Sequence, residues 1–159
     1  MRRRIVRRVF WPATSTAGEL DLAALASVHV TSEQSLFPID HVFETVRGPG
    51  SSCWISEDAG EQLVTVEFDH PQDVRGVSIE SEDHGKTRTQ TVELSISSDG
   101  GEIYRELPRR EFKFSPYGTT FERESWDVSV DAATHLRVRI RPDMAGGEGR
   151  ASLTSIVVR

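Results

Sequence analysis

Residues 135–141 read HLRVRIR, and this stretch decides the fold. Leu136, Val138 and Ile140 fall on one face and Arg137, Arg139 and Arg141 on the other. Successive side chains of a strand point to opposite faces, so a period of two marks a strand with one buried face and one wet face. On a helix the same spacing would scatter the three apolar residues around the axis.

The same alternation recurs outward from it. Val64, Val66 and Phe68 share a face in 62–68, Val77 and Ile79 do so in 75–81, and Val92, Leu94 and Ile96 do so in 91–97. Trp126, Val128 and Val130 repeat it in 126–131, and 152–158 closes the chain with Ile156 and Val158 on one side and Leu153 and Val157 on the other. Turn residues separate the runs: Arg47-Gly48-Pro49-Gly50, Asp58-Ala59-Gly60, His70-Pro71, Asp83-His84-Gly85, Ser98-Asp99-Gly100-Gly101, Ser115-Pro116-Tyr117-Gly118 and Ala145-Gly146-Gly147. Short alternating strands with turns at this spacing predict an all-β sandwich or barrel. Helix is scarce. Residues 19–26, ELDLAALA, and 38–44, PIDHVFE, each predict a turn or two, with Pro38 acceptable at a helix start.

A chain of 159 residues suits one domain with enough core to stand without disulfides, and the lone Cys53 has no internal partner. No run of 18 apolar residues is present, so no spanning helix is expected. The start, MRRRIVRRVFWPATSTAG, is a poor export signal because Arg7 and Arg8 interrupt its apolar stretch, which makes the cytoplasm the default location. The net charge is −6, yet Arg2, Arg3, Arg4, Arg7 and Arg8 crowd the first eight positions. The rest carries 14 basic residues against 25 acidic ones, a net of −11, which argues against a broad nucleic-acid surface. Residues 1–26 read as an arginine-rich arm, and its Ile5, Val9, Phe10 and Trp11 are costly to expose together, so part of it is expected to add a strand or short helix.

Five stretches in order carry a resemblance. Ser27-Val28-His29-Val30-Thr31-Ser32-Glu33 comes first, then PIDHVFETVRGPGSSCW at 38–54 and QLVTVEFDHPQDVRGVSI at 62–79. TVELSISSDG at 91–100 follows, and HLRVRIR and ASLTSIVV at 151–158 close the series. Together, over 27–159, they resemble the discoidin, or coagulation-factor type C, domain of the galactose-binding-like group. The resemblance implies a jelly-roll sandwich of two antiparallel sheets with ligand loops at one end, near 31–37, 55–60, 83–90 and 113–123. It implies a structural calcium ion in many members. The family's loop acid falls at Glu44, but Thr45 replaces the next glycine and Ser155 its late glutamate, which weakens that site here.

The loops offer the candidate ligand residues. His84 and Arg88, in EDHGKTR at 82–88, would reach a hydroxyl-rich or anionic ligand, and arginine supplies a rigid fork of donors. Segment 109–123 holds Phe112, Phe114, Tyr117 and Phe121 among Arg109, Arg110, Lys113 and Arg123. Tyr117 and Arg123 are its ligand candidates, whereas the spacing of Phe112 and Phe114 fits a strand with both in the core. Phe37 is the candidate on the first loop, and Trp54 and Cys53 read as core. None of the histidines forms HxH or HExxH, and neither a GxSxG elbow nor a phosphate-cradling glycine loop is present, so no catalytic signature stands out. The expectation is a non-catalytic ligand-binding module without a required cofactor, with carbohydrate as ligand. A protein-interaction module in a larger assembly is one alternative. A nucleic-acid-binding module using the basic arm and the arginine-bearing strand is the other.

Overall fold

In a computed structural model, which describes residues 2–5 and 18–159, the alternating runs become antiparallel strands. The strands are β1 (Arg2–Arg4), β2 (Ala26–Val30), β3 (Trp54–Ala59), β4 (Gln62–Glu82), β5 (Arg88–Ser97), β6 (Arg105–Glu106), β7 (Arg110–Phe114), β8 (Phe121–Arg141), β9 (Arg150–Leu153) and β10 (Ser155–Val158). The helical expectations hold at small scale. Helix α1 is Leu22–Leu25, started by an Asp21 carboxylate that accepts the Ala24 amide, and a 3-10 helix covers Ile39–Phe43 behind Pro38.

Two runs expected as separate strands are single ones. Residues 62–68 and 75–81 belong to β4, and 126–131 and 135–141 belong to β8. The His70-Pro71 turn signal is spent on a bend inside β4 instead of ending the strand. There the pairing with β8 slips between Glu67 and Gln72, again by Val74, and again by Gly76. A bulged ladder leaves residues unpaired, so it tolerates a proline that has no amide to donate. Opposite the bend, Ala132 takes the left-handed conformation at φ 52°.

The long β4–β8 ribbon thereby runs through both layers of a jelly-roll-like sandwich. Its Gln62–Glu67 and His135–Ile140 halves form one layer with β1, β2, β5, β6 and β7. Its Gly76–Glu82 and Phe121–Asp127 halves form the other with β10, while β3 and β9 make a small separate pair. Register puts apolar residues opposite one another: Val28–Val66, Val64–Val138, Val66–Leu136 and Leu94–Val138 in the first layer, Ile79–Ile156 and Val77–Trp126 in the second. All of them are buried in one core with Trp54, Phe112 and Phe114. Full burial stabilises each aliphatic side chain by roughly 1.5–3 kcal/mol.

β1 pairs antiparallel with β2, and the Arg4 guanidinium donates to Ser27 Oγ, Ala24 O and Asp69 Oδ1 at 3.1, 3.2 and 2.6 Å. Ile5 is buried against the core, whereas Val9, Phe10 and Trp11 lie outside the described residues. No helix among the described residues is long and apolar enough to cross a membrane.

The Ser98–Gly101 turn forms as expected, with Gly100 and Gly101 at φ 81° and 87°. Asp99 organises it by accepting the Ile103 amide at 3.0 Å and the Ser97 hydroxyl at 2.7 Å. The Ile103 amide first, and then Ser97, hold the Asp99 carboxyl below the usual carboxylate range. A carboxylate whose folded value is depressed stabilises the fold above its unfolded value, near pH 4, and loses that contribution as pH falls through the folded value. Asp99→Asn is therefore expected to lower the melting temperature at pH 7, with the gap to wild type closing below about pH 4. Thermal scans of both proteins between neutral and acidic pH would show it. A gap that stays constant or widens in acid would rule it out.

Candidate functional site

Asp83 folds the loop between β4 and β5. Its Oδ1 accepts the Gly85 amide at 2.7 Å, the local bond that aspartate favours in turns. The Asp83 amide donates to Thr120 O at 2.8 Å, which fastens this loop to the turn between β7 and β8. Glu82, one residue earlier, accepts the Gly50 amide on both carboxylate oxygens at 3.1 and 3.3 Å and so ties down the glycine-rich loop before β3. The Met144 amide bonds Thr89 O at 2.9 Å and brings the 142–149 loop to the same end.

Arg88, expected to reach for a ligand, turns inward instead. Its side chain is only 4% exposed, and its Nε donates to Asp83 Oδ2 at 2.6 Å. One terminal nitrogen contacts Gln90 Oε1, Pro142 O and Arg150 O at 3.2, 2.8 and 3.2 Å, and the other donates to Ser152 Oγ at 2.8 Å. The guanidinium also lies 5.4 Å from the centre of the Phe114 ring. Gln90 completes the network by donating to Ser152 O at 2.9 Å and accepting the Ser152 amide at 3.2 Å. Buried polar groups are costly unless paired, and each of these finds its partner on another strand or loop. Arg88 thus clamps β5, β9 and two loops together, and only its edge meets solvent.

That edge lines an open cleft of about 480 Å³. Cys53 and Ile55 give it an apolar side, and Glu82, Asp83, Gly85, Lys86, Glu148, Gly149, Arg150 and Ser152 complete it. Three acids face three bases. Burial first, and Glu82 second, push the Cys53 thiol above its ordinary value, which disfavours the nucleophilic thiolate. The carboxylates of Glu82 and Asp83 are already held by Gly50, Gly85 and Arg88.

The other candidates do not line this cleft. His84 is 69% exposed, with Nε2 3.5 Å from Glu82 Oε1 on the outside of the loop. Tyr117 is fully exposed at the tip of the 115–118 turn, neither packed on the cleft nor covering the sandwich end. Phe112 and Phe114 are buried, as their spacing predicts. Arg123 is exposed on β8, directly opposite Glu80 on β4. Phe37 is half-buried and its carbonyl accepts the Ile55 amide at 3.2 Å, so its loop borders the cleft through backbone. Trp54 is core, as read, with Nε1 donating to Ser32 O at 3.0 Å. The sequence reading missed Lys86, Glu148 and Arg150. Gly146-Gly147-Glu148-Gly149 marks the loop that carries Glu148 and leads into Arg150, but its glycines signal only a turn, and Lys86 lies in the separate loop between β4 and β5.

The two positions weighed for a calcium ion are placed as follows. Glu44 is half-buried, Ser155 offers only a buried hydroxyl without a partner, and no three His, Cys, Asp or Glu side chains gather as a metal-binding group among the described residues.

In sequence, the chain matches no family model and no curated protein. In structure, it is similar to the family 32 carbohydrate-binding module of Clostridium perfringens NanJ in complex with galactose. The TM-score is 0.59 at 16% identity, covering 88% of this chain and 96% of that one. It is similar to a second Clostridium perfringens module, in complex with GalNAc-β-1,3-galactose, with a TM-score of 0.58 at 18% identity, covering 88% and 98%. The family 32 module of AlyQ in complex with 4,5-unsaturated mannuronic acid gives 0.55 at 17% identity, covering 83% and 92%. The fold of the chain is thus the jelly-roll sandwich of these carbohydrate-binding modules.

Proposed function

We propose that the chain is a non-catalytic carbohydrate-binding module that takes a sugar in the cleft beside Arg88. The observation that carries this reading is the cleft's charge balance. Glu82, Asp83 and Glu148 offset Lys86, Arg88 and Arg150, and an apolar side is supplied by Cys53 and Ile55. Such a surface offers donors and acceptors without net charge, which suits an uncharged polyol. The bound sugars in modules of the same fold support it. The non-catalytic part rests on the lack of a catalytic signature in the sequence and on the structural engagement of Glu82 and Asp83 by Gly50, Gly85 and Arg88.

Lys86 and Glu148 are exposed, so their replacement tests the site without disturbing the core. On a glycan array followed by calorimetry, Lys86→Ala and Glu148→Ala are each expected to weaken sugar binding by on the order of tenfold. The melting temperature should stay unchanged. Binding to no glycan, or binding indifferent to both substitutions, would defeat the proposal.

A second reading has one observation in its favour. Leu36, Val46, Tyr117 and Met144 are exposed on loops around this same end. Exposed apolar residues that surround a polar cleft suit docking to another protein. A complex lost on Leu36→Ser with Tyr117→Ser, in a chain that binds no glycan, would favour it.

A further inference from the structure

The outer face of the first layer has a groove of its own, away from the loop end. β6 pairs with Ser95–Ile96, the Leu107 amide still donates to Leu94 O at 2.9 Å, and β7 pairs with Arg88–Val92, so the edge ladder is interrupted beside Glu93. Pro108, which has no amide to donate, sits in the gap, and its carbonyl is held by Trp126 Nε1 at 2.6 Å. The interruption leaves a groove of about 230 Å³ whose walls include Glu93, Ser95, Glu106, Arg109, Arg137 and Arg139.

Its charge differs from that of the loop-end cleft, because three arginines face two glutamates. The guanidinium groups are also underused. Among the described residues Arg137 donates only from Nε, to Ser95 Oγ at 3.3 Å, and is stacked 3.9 Å from the centre of the Tyr104 ring. That stacking fixes the plane of its fork before any ligand arrives. The acids beside the other two stand off at 3.7 Å: Glu111 from Arg109, and Glu61 and Glu93 from Arg139. These are ion pairs beyond hydrogen-bond distance, so the donor forks remain open to an acceptor of better geometry. A carboxylate meets an arginine fork through two parallel bonds. The groove is smaller than the roughly 300–1,000 Å³ of drug-sized ligand sites, which limits it to one small unit. Glu93 and Glu106 add acceptors for hydroxyl groups beside the carboxylate.

We propose that this groove is a second ligand site, for a single uronic acid unit of an acidic saccharide, bound through its carboxylate by Arg109, Arg137 and Arg139. The site is independent of the loop-end cleft, and the two proposals fail separately. The test is a nuclear magnetic resonance titration of the full chain with galacturonate, galactose and acetate in parallel. Galacturonate is expected to shift the amides of Ser95 and Leu107, to do so at least several-fold more strongly than acetate, and to do so in Lys86→Ala as well. Galactose should leave these amides unmoved. Arg109→Ala with Arg139→Ala should weaken the response by on the order of tenfold or more. Arg109→Glu alone, at an exposed position, gives the same direction if the double variant does not fold. Equal shifts from acetate would overturn the saccharide assignment. No shift at these amides, or a shift that survives both arginine variants, would overturn the site.

Discussion

Replacing Arg88 with alanine is expected to destabilise the fold by roughly 3–5 kcal/mol, the cost of removing one partner from a buried charge pair. The substitution strands the Asp83 carboxylate, the carbonyls of Pro142 and Arg150, and the hydroxyl of Ser152. Water reaches part of Asp83, which is 19% exposed, and part of the Arg150 carbonyl, but the Pro142 carbonyl and the Ser152 hydroxyl are bonded in buried surroundings. Arg88→Lys keeps the charge but not the fork, so it should recover only part of the loss. Equilibrium urea unfolding measures this directly. A change below about 1 kcal/mol for the alanine variant would show that the clamp is not structural. The result also bears on binding assays, because sugar binding lost in this variant would report on a collapsed loop end as readily as on a missing contact.

Trp54→Ala is the second large effect, with an expected cost of about 3–5 kcal/mol from the cavity left by a fully buried indole. Trp54→Phe separates two contributions. It fills most of the space but leaves the Ser32 carbonyl without its donor, which should cost about 1 kcal/mol. For a domain of this size the alanine variant should melt on the order of 10 °C lower, and the phenylalanine variant only a few degrees lower. Scanning calorimetry distinguishes them. Equal shifts for both would mean that the hydrogen bond, and not the packing, matters at this position.

The strands were legible because burial imposes alternation, and Leu136, Val138 and Ile140 report it without help from the rest of the chain. The continuity of β4 was not. Asp69, His70, Pro71 and Asp73 look like a loop, and only the neighbouring β8 shows that the ladder survives across them with slipped register. Arg88 shows the same limit at the site. Its residue type and its place at the start of β5 are local facts, but its acceptors come from Pro142, Arg150 and Ser152, which are distant in sequence. The sequence therefore marks a donor without saying whether protein or ligand receives its bonds. Tyr117 is the converse case. An aromatic residue in a Pro-Gly turn carries no periodicity that would fix its direction, and it points to solvent.

Because β4 and β8 each pass through both layers, the sandwich has no seam along which it can come apart. Gln62 is paired with Ile140 at one end of the ribbon and Glu82 with Phe121 at the other. One layer cannot melt while the other keeps its central pair intact without breaking the same two strands in their middle. The fold is thereby bound to open and close as one cooperative unit, and its nucleation waits on pairings between distant parts of the chain, which makes it a slow folder for its size.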